Sequence, residues 1–143
     1  MPKQILVRVK DESAMVKNLE RIYYAEDEDD IRFIAKMALE TFGGFIVDAN
    51  ESGVGIVENA KVFKPDIFLL DVMMPDVDGV AAFNALAGSP EFKSIPVVFM
   101  TAKVRPDELA TFREMGVSDV IAKPFDPKDL AANLINIWKQ LDE

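Results

Sequence analysis

Apolar positions along the chain follow two alternating rhythms. Arg21–Ala25 and Phe45–Ala49 are short β-branched and aromatic runs, and each predicts a strand. Ile67–Leu70 and Ile95–Met100 are continuous apolar runs of strand length, as expected of strands buried on both faces. Val117–Ala122 predicts a fifth strand. Between these runs the spacing becomes helical. Ile31, Ile34, Ala35, Ala38 and Phe42 predict a helix from about Asp29, stopped by Gly43-Gly44. Residues 53–63 predict a second helix with Val54, Val57, Ala60 and Val62/Phe63 inward, broken at Pro65. A third covers Val80–Ala87, and a fourth runs from near Pro106 to Gly116. Asp126 caps a fifth helix, with Pro127 in its first turn and Leu130, Leu134, Ile137, Trp138 and Leu141 along one side.

Strands and helices therefore alternate five times. That order predicts an α/β fold, a single doubly wound parallel sheet with helices on both faces. No repeat, low-complexity stretch or long linker interrupts it. Residues 1–19 differ, carrying Lys3, Arg8, Lys10 and Lys17 against only Asp11 and Glu12. Ile5–Val9 admits a short strand, but the segment reads as an N-terminal tail or extension, with residues 20–143 forming the domain.

Composition narrows the chemistry. The length of 143 residues suits one domain, and a 50% apolar content suits a folded one. The absence of Cys excludes disulfides, thiolate metal sites and cysteine nucleophiles. The absence of His excludes imidazole ligands and a Ser-His-Asp triad, so any phosphohistidine belongs to another molecule. A net charge of −9 argues against nucleic acid as a direct partner. No apolar run is long enough to span a bilayer or serve as a signal peptide, so no membrane role and a cytoplasmic location are expected.

Ligands of an open parallel sheet bind beyond the carboxyl ends of its strands. The first predicted strand ends in Glu26-Asp27, the third in Asp71, the fourth in Thr101 and the fifth in Lys123. Three carboxylates in one crevice raise one another's pKa or demand a cation. An all-oxygen acidic pocket suits Mg²⁺, with Mn²⁺ a possible substitute. Lys123 balances only one of the three negative charges. A divalent ion joined by an anionic group completes the site, and a phosphoryl group fits, with Thr101 donating a hydrogen bond. A carboxylate is itself a competent nucleophile for phosphoryl, forming an acyl phosphate. Asp71, at the end of the central strand, is the candidate. Other acids have simpler readings: Glu28, Asp29 and Asp30 as a helix start, Asp76 and Asp78 as turn residues. Gly53-x-Gly55 is a lone glycine pair that reads as helix-start geometry, and Trp138 reads as core.

Four segments together carry a resemblance. Ile22-Tyr23-Tyr24-Ala25-Glu26-Asp27-Glu28, the Asp-x-x-Met-Pro-x-x-x-Gly stretch over Asp71–Gly79, Met100-Thr101-Ala102 and Lys123-Pro124-Phe125 resemble the receiver domains of two-component response regulators. The resemblance covers about residues 20–141 in order and spacing. It implies a CheY-like, flavodoxin-like strand order 2-1-3-4-5 and a cis Lys123–Pro124 bond. It implies that Asp71 accepts a phosphoryl group from a histidine kinase or histidine phosphotransfer protein. Glu26, Asp27, Asp71 and the Met73 backbone carbonyl match the Mg²⁺ ligand positions, Thr101 the switch hydroxyl and Lys123 the active-site lysine.

Two departures bear on switching. Many receivers carry an aromatic residue three positions before the lysine, where this chain has Val120. Met73 and Lys103 fall at the two positions that tune dephosphorylation, and a methionine offers no group to orient a water. The expected function is a stand-alone receiver, a phosphoacceptor switch or phosphorelay member rather than an enzyme. Its output would pass through protein contacts at about residues 102–141 or a phosphorylation-dependent dimer. The alternatives are a phosphorylation-independent scaffold and a fragment of a larger hybrid kinase or regulator. An aspartyl-phosphate hydrolase fits less well, because its usual Asp-x-Asp is broken by Met73 and there is no cap insertion.

Overall fold

The computed structural model describes residues 18–102 and 105–141. The tail predicted over residues 1–19, including Ile5–Val9, lies almost wholly outside the described residues, as do Lys103 and Val104. Ten elements alternate: β1 (Arg21–Ala25), α1 (Asp29–Gly43), β2 (Ile46–Asn50), α2 (Ile56–Phe63), β3 (Ile67–Asp71), α3 (Gly79–Ala87), β4 (Val97–Thr101), α4 (Pro106–Met115), β5 (Asp119–Ala122) and α5 (Pro127–Leu141). All strand pairs are parallel, in the order β2-β1-β3-β4-β5. The chain reverses its direction of travel between β1 and β3, and that reversal opens a crevice at the carboxyl end of the sheet.

Every position of β3 and β4 is buried, as their unbroken apolar runs require. Side-chain alternation along β1 sends Ile22 and Tyr24 to one core and Tyr23 and Ala25 to the other. The first core is closed by Leu39 of α1 and by Leu130, Leu134 and Ile137 of α5. The second takes Ile56 and Ala60 of α2 and Ala82, Phe83 and Leu86 of α3, around a tilted Tyr23–Phe68 pair and an edge-on Phe68–Phe92 pair.

Several boundaries move from their predicted places for local reasons. Phe45 is buried, but its N–H closes α1 on Leu39 O at 3.3 Å, so β2 starts at Ile46. Pro96 has no N–H to give the ladder, and β4 starts at Val97. Val117 is buried, yet its N–H returns to Phe112 O to finish α4, and β5 starts at Asp119. Gly55, at φ 73°, caps α2, so that helix begins at Ile56 rather than 53. Val54, which precedes the helix, is therefore exposed, not inward. Val62 is 85% exposed, because it falls nearly opposite the Ile56–Ala60 side. In α1 the buried residues are Ala35, Ala38 and Leu39, while Ile34 and Phe42 reach solvent. Trp138 is partly buried against the first core, as expected.

Asp66 is buried after Pro65, and its Oδ2 accepts from the N–H groups of Glu20 at 2.9 Å and Arg21 at 2.8 Å, fixing the start of β1 beside β3. Helix α4 buries no residue completely. It is seated by Phe112, whose ring meets Phe99 edge-on at 5.0 Å between centroids.

Candidate functional site

Parallel strands present their carboxyl ends to one edge, and the sequence loads that edge with charge. Glu26 and Asp27 follow β1, Asp71 ends β3, Thr101 ends β4 and Lys123 follows β5. The register pairs Asp71 with Met100, setting Thr101 one step beyond on the neighbouring strand. Glu26, Asp71 and Thr101 are buried, and Asp27 is half-buried. One carboxylate oxygen each from Glu26, Asp27 and Asp71 lie within 4.8 Å of one another. The Lys123 ammonium bridges the two buried acids, 3.0 Å from Glu26 Oε1 and 3.1 Å from Asp71 Oδ2. The Lys123–Pro124 peptide is cis, and the Lys123 N–H bonds to Thr101 O at 2.9 Å.

Backbone groups hold the remaining oxygens. Glu26 Oε2 accepts from Glu28 N at 3.1 Å, and Asp71 Oδ1 accepts from Met73 N at 3.2 Å. Arg32 of α1 reaches back to donate to the Glu26 carbonyl at 2.8 Å. Gly79 is required where α3 passes under Asp71, since a Cβ there would lie 2.7 Å from the Asp71 carbonyl oxygen. Asp76 adopts a left-handed φ of 67°, and the Asp78 carboxylate caps α3 on Ala81 N at 2.8 Å. Both do the turn work the sequence suggests. Asp29 and Asp30 stand in the first turn of α1 and Glu28 at its cap position, again a helix start. Met73 is largely exposed.

The electrostatics follow from burial. Loss of water pushes the Glu26 carboxyl up to about 7, helped by the charge of Asp71 and opposed by the Glu28 N–H and by Lys123. Burial works to lower the Lys123 pKa, but its bonds to Glu26 and Asp71 outweigh it and hold the ammonium above its ordinary value. The Tyr24 phenol is raised by burial and by the charges of Glu26 and Asp71, and its hydroxyl has no hydrogen-bond partner among the described residues. Among the described residues, three carboxylates face one ammonium and leave a negative, oxygen-lined pocket, a donor set that fits a hard divalent cation.

The structure brings together all of the acids and the lysine that the sequence nominates, and sets Thr101 on the adjacent strand end. Sequence reasoning missed Arg32, Tyr24 and Asp66. Only Arg32 left a signal, its i,i+3 spacing from Asp29, with which it forms an ion pair.

Comparison with known proteins agrees with this geometry. Residues 22–135 match the response regulator receiver domain family model. The transcriptional regulatory protein CseB of Streptomyces coelicolor is 34% identical over 113 residues, covering 79% of this chain and 47% of CseB. Hybrid signal transduction histidine kinase D of Dictyostelium discoideum is 30% identical over 123 residues, covering 85% of this chain and 8% of the kinase. The chain thus spans about half or less of these curated relatives. A response regulator structure from Desulfuromonas acetoxidans superposes with a TM-score of 0.76 at 27% identity, covering 85% of this chain and 98% of that one. With its sheet order, its acidic crevice and its motif stretch all in place, the chain belongs to the response regulator receiver domain family.

Proposed function

We propose that this chain is a phosphorylation switch whose phosphoacceptor is Asp71. The observation that carries the reading is the Lys123 ammonium lying between Glu26 and Asp71 beside a three-carboxylate cluster. A structural ion pair needs one acid, whereas this arrangement keeps surplus negative charge in a buried crevice and suits a bound cation. Glu26, Asp27, Asp71 and the Met73 carbonyl are the residues that would hold Mg²⁺, or Mn²⁺ in its place. When bound, the divalent ion supplies neutralisation of the phosphoryl oxygens.

An Asp71 carboxylate oxygen attacks phosphorus, and the bond from phosphorus to the donor's imidazole nitrogen breaks. The imidazole leaves with that electron pair and takes up a proton, and Asp71 keeps an acyl phosphate. Lys123 pairs with a phosphoryl oxygen, and the Thr101 hydroxyl donates to another. The 143 residues hold no histidine, and the donor is a phosphohistidine of a histidine kinase or a histidine phosphotransfer protein. The output is a change in protein contacts along about residues 102–141, or the phosphoryl group passes onward. Val120 is half-buried at the place where a switching ring would stand, which leaves Thr101 and the segment after it to carry the change. Met73, exposed and unable to orient a water, favours a phospho-lifetime longer than seconds.

The test is intact mass after incubation with Mg²⁺ and a small acyl-phosphate donor. One phosphoryl group is expected on the wild type, with none on Asp71→Asn or in chelator. An adduct that survives Asp71→Asn would overturn the assignment. Release of inorganic phosphate over time gives the lifetime.

A further inference from the structure

Gly53 and Gly55 stand two positions apart and are glycines for different reasons. Gly55 has the left-handed φ of a helix cap, with only Asn59 Nδ2 near its missing Cβ, at 3.7 Å. Gly53 is buried and has no positive φ. What it lacks is room. A Cβ on Gly53 would lie 2.9 Å from the Val77 carbonyl oxygen, 3.1 Å from Val77 Cγ1 and 3.3 Å from Ala82 Cβ.

Val77 belongs to the loop of residues 72–78 that leaves Asp71. Val72 N bonds to Met100 O at 2.9 Å, and Gly79 N closes back on Val72 O at 3.0 Å. Met74 is buried in the second core, and Val77 N bonds to Pro75 O at 2.8 Å. Met73, Pro75 and Asp76 between these ties are exposed. On the other side, Gly53 O accepts from Ile56 N at 3.2 Å, and Ile56 anchors α2 in the core. A backbone carbonyl cannot swing aside as a side chain does. A methyl group on residue 53 therefore presses on the backbone of the 72–78 loop, whose residues 73, 75 and 76 are exposed.

We propose that Gly53 is a positioning residue. Its bare Cα is the backstop on which Val77 seats, and it thereby sets the course of the loop that carries the Met73 carbonyl and the Met73 N–H bonded to Asp71. The inference rests on the functional reading above. It ties the turn between β2 and α2, which holds no ligand of its own, to metal affinity and phosphoryl uptake.

The experiment uses the full chain and its Gly53→Ala, Gly55→Ala and Gly88→Ala variants. Mn²⁺ affinity is read from the paramagnetic resonance signal of the free ion, phosphoryl uptake from intact mass, and folding from thermal melts. Gly53→Ala is expected to remain folded and bind Mn²⁺ about tenfold more weakly, the scale of disturbing a ligand's supporting shell. Its phosphoryl uptake is expected to slow. Gly55→Ala is expected to lose stability, because of its φ, without losing Mn²⁺ affinity. Gly88→Ala, whose added Cβ meets nothing nearer than 3.5 Å, changes neither. If Gly53→Ala does not fold, Val77→Gly loosens the same contact from the other side and must weaken Mn²⁺ binding. A folded Gly53→Ala with wild-type Mn²⁺ affinity overturns the proposal, as does an equal loss in Gly55→Ala. A wild type that takes up neither Mn²⁺ nor phosphoryl overturns the functional reading itself, and this inference falls with it.

Discussion

Lys123 Nζ stands 3.0 Å from Glu26 Oε1, joining the end of β5 to the end of β1 across 97 positions of sequence. The two strands are not neighbours in the sheet, and Asp71 at the end of β3 shares the same ammonium. Removing the ammonium leaves two buried acids facing each other.

Lys123→Ala is expected to cost about 3 kcal/mol of metal-free stability, the scale of stripping one partner from a buried ion pair. Mg²⁺ is expected to restore part of the loss, since it supplies positive charge to the same oxygens. Urea unfolding with and without Mg²⁺ measures both effects. An unchanged midpoint in chelator would show that the bridge carries no weight.

The raised pKa of Glu26 predicts a pH dependence of definite sign. The folded chain holds this proton more tightly than the unfolded chain, whose glutamates titrate near 4.5. The stabilisation is complete below that value and is lost as pH rises through about 7. In chelator, the wild type should lose stability from pH 5 to pH 8 by more than Glu26→Gln does. Parallel pH profiles for the two proteins would refute it.

Tyr24 buries a hydroxyl with no partner among the described residues, and an unsatisfied buried polar group costs about 1–3 kcal/mol. Tyr24→Phe is therefore expected to raise stability by about 1 kcal/mol, read as a higher urea midpoint at constant slope. A lower midpoint would mean that the hydroxyl is bonded in solution.

Asp66→Ala leaves the Glu20 and Arg21 N–H groups without their shared carboxylate oxygen. The expected loss is about 2 kcal/mol, and less for Asp66→Asn, whose amide oxygen still accepts. A loss of only a few tenths in both variants would remove Asp66 from the account of how β1 is placed.

The sequence discloses the strand ends more clearly than the helix faces. Asp71 and Thr101 close apolar runs, while Glu26 and Lys123 follow them, so the strand period and the parallel topology bring them to one edge. Val54 and Val62 mislead because α2 is short. One left-handed glycine shifts its start past Val54, and the Ile56–Ala60 side that turns inward leaves Val62 outside. Asp66 gives no warning at all. After a proline, an isolated aspartate looks like turn chemistry, and its role depends on β1, more than forty residues earlier, lying alongside. Gly53 was legible as a glycine needed for the local turn, but the carbonyl it makes room for belongs to another loop.

Helix α4 buries no residue completely and is seated through Phe112 on Phe99. In the terms of hydrogen exchange, it is expected to open as a unit of its own, at a lower free energy than the whole fold. Such an opening would leave β3 and β4 closed beneath it. Its amides are then expected to exchange by an excursion that the central strands do not report.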